Sequence, residues 1–186
     1  GVKMKIKFPH IPYVSRKIGI DMYNSGFIKF NQGIEGVVKI AEEVITNDAL
    51  KEKALDEKTE NILEENSEDM HIMQVDRRSM FWMVKKRLAD ESDFVLKHDD
   101  RYNKLSHEIL ELSWKKNYID YSVSENRARN IIYSSIEEYL KNFEKIEDIV
   151  VEKLENSSKK LIPGTPEYDL AFEKYYQDEL KKRGMF

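Results

Sequence analysis

The chain of 186 residues contains no cysteine. That excludes disulfide staples, thiolate zinc sites and a cysteine nucleophile, and it fits a reducing compartment. Proline and glycine are scarce, at four and seven residues. The prolines sit at 9, 12, 163 and 166, so no low-complexity linker divides the chain. Long apolar runs are missing too. Stretches such as Met80 to Val84 fall far short of the roughly 20 residues a membrane span needs. The N-terminal lysines have no apolar block behind them, so no secretory signal is expected and a cytoplasmic location is. No nucleophile elbow, H-E-x-x-H, phosphate loop or calcium loop is present. The expectation is therefore a protein that is not an enzyme, with no cofactor and no metal.

Charge is plentiful and segregated. The net charge is −4. Residues 1–40 hold seven Lys/Arg against two acids, and residues 41–70 hold three against eleven. Residues 71–90 return to five against two, and residues 137–156 fall to three against seven. An acidic balance argues against general nucleic-acid binding but leaves local basic patches. The acidic stretches read as solvated helix faces.

Helical signals dominate, and the chain is expected to be mainly α. Asn47 or Asp48 is placed to cap a run from Ala49, and Ser122 with Glu125 reads as a capping box. The apolar stripe that follows recurs at Ala128, Ile132, Ser135, Tyr139, Phe143, Ile146, Val150 and Leu154, with no Pro or Gly from Glu125 to Asn156. Thr165, Pro166 and Glu167 open a last helix, which Gly184 closes. Strand signals are confined to short β-prone pieces near residues 4–8, 27–30 and 118–121.

Sliding the sequence by 91 positions gives an ungapped match. Val14, Ile18 and Tyr23 meet Leu105, Ile109 and Trp114, and Phe27-Ile28 meets Tyr118-Ile119. Gly26 meets Asn117, and these residue types best tolerate the left-handed turn that closes a helix. Two tandem copies of a helical unit, packed about a pseudo-twofold axis, follow as the expectation. The divisions are a basic N-terminal arm at 1–13, a first repeat at 14–98 and a second at 99–186, sharing one core. The first copy departs at Thr46-Asn47-Asp48, where its long helix is expected to break.

Chemistry-bearing residues are dispersed. His98-Asp99-Asp100 with His107 has metal-ligand residue types, yet Asp99 or Asp100 reads better as a helix cap. His10 reads as a packed structural histidine. Gly33 and Gly36 read as turn and close-packing residues. The stretch with the most functional character is Arg77, Arg78, Trp82, Lys85, Lys86 and Arg87, a basic and aromatic helix stripe that Lys5, Lys7, Arg16 and Lys17 extend. Such a stripe suits phosphates and base stacking. Its alternative is a core helix with Trp82 buried and the lysine tails snorkelling. Tyr139, Phe143, Ile146 and Val150 form a candidate partner or self-association face, because their stripe is longer than one small core needs.

The strings from Met4 to Ile18, Asp76 to Arg78, Tyr121 to Arg127 and Leu161 to Thr165 resemble a bacterial family catalogued as domain of unknown function 507. The resemblance runs from Met4 onward and leaves Gly1 to Lys3 before the family's usual start. It implies a bacterial protein and carries no activity, cofactor or catalytic residue.

Two functions compete. The first is a non-enzymatic helical interaction or scaffold protein, acting on a protein partner or as a homo-oligomer. The alternative is an RNA- or DNA-binding module that uses the 77–87 stripe and the N-terminal arm. An enzyme with a site assembled from distant residues ranks third.

Overall fold

The computed structural model describes residues 5–184. The protein is mainly α, with seven helices and one short two-stranded sheet among the described residues. A single 3-10 turn at Phe8–His10 leads into α1 (Ile11–Asn24), β1 (Ile28–Phe30) and the long α2 (Glu35–Glu65). A short α3 (Ser67–Ile72) and α4 (Arg77–Glu91) follow. Then come α5 (His98–Lys115), β2 (Ile119–Tyr121), the long α6 (Glu125–Glu155) and α7 (Pro166–Lys182). Helices α1 and α5 each pack against both α2 and α6, while α4 flanks α2 and α7 flanks α6. A 31-residue helix is about 46 Å long. The two long helices therefore run past the central core and offer separate seats to α4 and α7.

The strands pair antiparallel about Lys29↔Asp120, with Ile28 opposite Tyr121 and Phe30 opposite Ile119. Gly26 and Asn117 end the preceding helices with φ of +80° and +61°, as that turn demands. Gly36 is a close-packing residue, since a Cβ there would lie 2.8 Å from the Tyr118 ring. Burial recurs at the offset of 91. Ile11, Val14, Ser15, Ile18, Gly19 and Met22 of α1 are buried, and so are Tyr102, Leu105, Ser106, Ile109, Leu110 and Ser113 of α5.

Several expectations are corrected. Of the strand near 4–8, Met4 lies outside the described residues, and Lys5 to Lys7 are irregular. Ile6 turns into the core instead and donates its N–H to the Tyr102 hydroxyl at 3.2 Å. Helix α1 begins at Ile11, within the span read as the N-terminal arm, and Lys5, Ile6 and Lys7 are docked against the helices. Helix α2 does not break at Thr46-Asn47-Asp48, because Val44, Ile45, Glu52 and Leu55 continue one buried face through it. The cap of α6 is Ser124, which accepts from the Arg127 N–H at 3.2 Å, rather than Ser122. Helix α5 starts after Lys97, and Asp99 and Asp100 lie within its first turn, facing the positive end of the dipole. The cap at Thr165 is as expected, accepting from the Tyr168 N–H at 3.3 Å.

The face of Tyr139, Phe143, Ile146 and Val150 is not a surface. All four are fully buried, because α1 and α7 of the same chain cover α6 there. Placing glutamate at both Ile146 and Val150 therefore unfolds the chain, since two unpaired carboxylates would enter a dry core. Circular dichroism and sedimentation check this. A folded double variant of unchanged mass would overturn the assignment.

Candidate functional site

Helix α2 presents Asp48, Glu52 and Asp56 one turn apart, so the three carboxylates form a ladder along one face. Three cations from three other segments meet it. Arg101 of α5 donates Nε–H to Asp48 Oδ2 at 2.8 Å and Nη2–H to Glu52 Oε1 at 3.1 Å. Lys85 of α4 donates to Glu52 Oε2 at 2.9 Å and forms an ion pair with Asp56 Oδ1 at 2.7 Å. Lys5 of the N-terminal segment donates to Glu52 Oε1 at 3.1 Å. The side chains of Lys85, Glu52 and Arg101 are only 3%, 8% and 9% exposed. Burial by itself would raise the Glu52 pKa, but Arg101, Lys85 and Lys5 together hold it down at about 2. For Asp48 burial, with the neighbouring Glu52 charge, prevails over Arg101 and Lys104 and raises its pKa.

The N-terminal segment straps this assembly. Lys5 reaches α2 through Glu52, Ile6 reaches α5 through Tyr102, and Lys7 reaches α6 through Glu147 at 2.5 Å. Beside the strap, over Glu52, lies a cleft of about 520 Å³. Trp82 and Leu96 form part of its wall, and His98 and Tyr102 another.

The structure thus gathers Lys5, Lys7, Trp82 and Lys85, which are far apart in the chain. Lys85 neither snorkels nor reaches solvent; it points inward to Glu52 and Asp56. Trp82 is half-exposed, with its ring 5.1 Å from the Lys85 ammonium. The remaining basic residues lie elsewhere. Arg16 pairs with Glu35 at 3.3 Å, and Lys17 with Asp21 and Glu138 at 2.8 and 2.7 Å. Arg77 pairs with Glu60 at 2.6 Å and Arg87 with Glu91 at 3.6 Å, both exposed. Arg78 and Lys86 are exposed. Sequence reasoning missed Arg101 and the acidic ladder. Their only signal was the i, i+4, i+8 spacing of acids on an otherwise buried helix face.

His10 is buried, with Nδ1 2.6 Å from the Tyr139 hydroxyl and its ring 4.1 Å from Phe143. Burial, helped by the Lys7 charge, lowers its pKa to about 4, so it is neutral at ordinary pH. His98 makes a different contact from the one its spacing suggested. Its Nε2 lies 2.8 Å from Glu137 Oε1, and ligand atoms of His98, Asp99 and Glu137 lie within 4.8 Å of one another. His107 stands apart, between Glu111 and Glu125.

The family described as "Protein of unknown function (DUF507)" matches residues 4–185, and the chain belongs to that family. No curated protein matches the chain.

Replacing Glu52 by Gln leaves Lys85 and Arg101 buried with half their compensation, and should destabilise the protein by about 3–5 kcal/mol in urea unfolding. Stability should also fall with acid in two windows. The unfolded chain protonates His10 near 6.5, whereas the folded one resists until about 4, so stability declines as pH drops through that interval. Glu52 is depressed from 4.5 to about 2, so its contribution is complete above 4.5 and is lost on approach to 2. His10→Asn should flatten the upper window and leave the lower one. A wild-type urea midpoint unchanged between pH 6.5 and 4 would contradict the first assignment.

Proposed function

We propose that the protein is a non-enzymatic helical interaction protein made of a duplicated unit, and that it docks a partner on α3 and α4. The symmetric strand register and the burial recurring at 91 support the duplication. In that reading α4 and α7 are equivalent closing helices. Helix α7 buries Tyr176, Glu179 and Leu180 on α6, whereas α4 buries only Lys85 and Ala89, and α3 buries nothing.

The observation that carries the docking reading is the apolar exposure of this lobe. Ile72, Met73 and Met83 are 71%, 72% and 59% exposed. Four of the seven methionines, at 70, 73, 80 and 83, fall within it. Methionine is unbranched and polarizable, and it serves surfaces that must adapt to a partner. Apolar side chains clustered on one lobe mark interaction sites more often than scattered ones do. Arg78 and Lys86 beside them favour a partner that offers carboxylates around an apolar centre. The nucleic-acid alternative is weaker. Lys85 is buried, and Arg77 and Arg87 are engaged by carboxylates.

The test is affinity capture from a lysate of the host, with and without nuclease, using wild type and Ile72→Asp with Met83→Asp. Both substituted residues are exposed, so the variant should fold. Nuclease-resistant capture of a protein at stoichiometric yield, reduced at least about tenfold in the variant, is the expected result. Capture abolished by nuclease would move the assignment to nucleic acid. Equal capture by the variant would exclude this lobe.

A further inference from the structure

The two halves fill equivalent places with opposite chemistry. At the offset of 91, His10 corresponds to Arg101, and Tyr139, Phe143 and Tyr176 correspond to Asp48, Glu52 and Lys85. Their contacts correspond as well. His10 meets the Tyr139 hydroxyl at 2.6 Å where Arg101 meets Asp48 at 2.8 Å. The His10 and Phe143 rings lie 4.1 Å apart where Arg101 meets Glu52 at 3.1 Å. Phe143 faces Tyr176 at 6.1 Å where Glu52 meets Lys85 at 2.9 Å. In that reading one copy of the unit closes with rings and the other with ions. Apolar replacement of a buried ion network is often neutral or stabilising. Closing the framework does not require the charges, so their retention points to what they face.

They face the cleft of about 520 Å³, a size suited to a small ligand. Lys5, Lys7, Lys85 and Arg101 line it with the carboxylates Glu52 and Glu147, and Asp48 and Asp56 behind the lining bring the charges into balance. Asp48 and Asp56 stand outside the lining and fix Arg101 and Lys85. Lys5 and Lys7 stand at the rim, about half exposed, each ammonium with three donors and an ion pair to one carboxylate. Glu147, on α6, is about one-third exposed and borders the cleft. The half-exposed indole of Trp82 offers a stacking wall beside those cations.

We propose that this cleft binds a small anionic ligand carrying an aromatic ring, the chemistry of a nucleotide, with the anion at Lys5 and Lys7 and the ring on Trp82. The reason given for the charges rests on the duplication reading; the ligand assignment rests on the cleft.

Trp114→Phe leaves Trp82 as the only tryptophan, so its fluorescence can be titrated with ADP and with inorganic phosphate at constant ionic strength. Saturable quenching by ADP is expected, with phosphate binding about tenfold or more weakly for want of the stacked ring. Lys5→Ala with Lys7→Ala should weaken ADP binding at least about tenfold. By calorimetry, Trp82→Leu should reduce ADP to the level of phosphate. No saturable ADP binding overturns the proposal, as does binding untouched by the lysine pair; equal affinities for ADP and phosphate overturn the ring assignment. A fourth variant, Asp48→Tyr with Glu52→Phe, Lys85→Tyr and Arg101→His, separates fold from ligand. It should fold with a urea midpoint no lower than wild type. Its failure to fold would count against the duplication argument alone, because the lysine and tryptophan variants test the ligand independently.

Discussion

Burying a carboxylate demands compensation, and Glu52 obtains it from three segments at once. Arg101 comes from α5, Lys85 from α4 and Lys5 from the N-terminal segment. None of these contacts is local, so forming the network brings four parts of the chain into one arrangement. An isolated ion pair at this depth would contribute little, because desolvation opposes the Coulomb attraction. The ladder of Asp48, Glu52 and Asp56 changes that balance by giving Arg101 and Lys85 two carboxylates each. The low pKa of Glu52 reflects that compensation, whereas at Asp48 burial outweighs Arg101 and Lys104.

A second buried cluster, around His10, is packed without charge. His10 is held neutral by its burial and ties into Tyr139, Phe143 and Tyr176 through ring contacts and one hydrogen bond. Desolvation raises the Tyr139 and Tyr176 phenols, so neither ionises in the core. Residues Lys5 to Lys7 lie between the two clusters. Lys5 engages the ionic cluster, while Lys7 engages Glu147 and lies 5.3 Å from the Tyr176 ring.

Much of this was legible in the residues. The apolar stripe from Ala128 to Leu154 predicted α6, Thr165-Pro166 predicted the start of α7, and Gly26 and Asn117 predicted the two left-handed turns. What misled was reading local signals without tertiary cover. Asn47 and Asp48 look like a helix start, yet the buried face of α2 overrides them. The stripe through Tyr139 and Val150 looked too long for a core because α7, which covers it, is separated from it by a loop. The candidate site was legible only as fragments. Lys5, Lys7, Trp82 and Lys85 carried a basic-aromatic signal, but Arg101 and Glu52 resembled ordinary charges on amphipathic helices. Charge at a buried position is visible only when burial is known.

The way α4 is attached links the site to the surface. A helix seated mainly by apolar contact hides its hydrophobic side chains in the seat. Helix α4 is anchored to α2 by Lys85, bonded to Glu52 and Asp56, with Ala89 as its other buried residue. That anchoring leaves Met83 outside and Trp82 half outside. The same ion network therefore does two things. It adds to the seat of α4 on α2, beside the partly buried Phe81, Val84 and Leu88, and it forms the floor of the cleft that Trp82 overlooks. Lys85 and Glu52 are thus common to the seat of α4 and to the lining of the cleft.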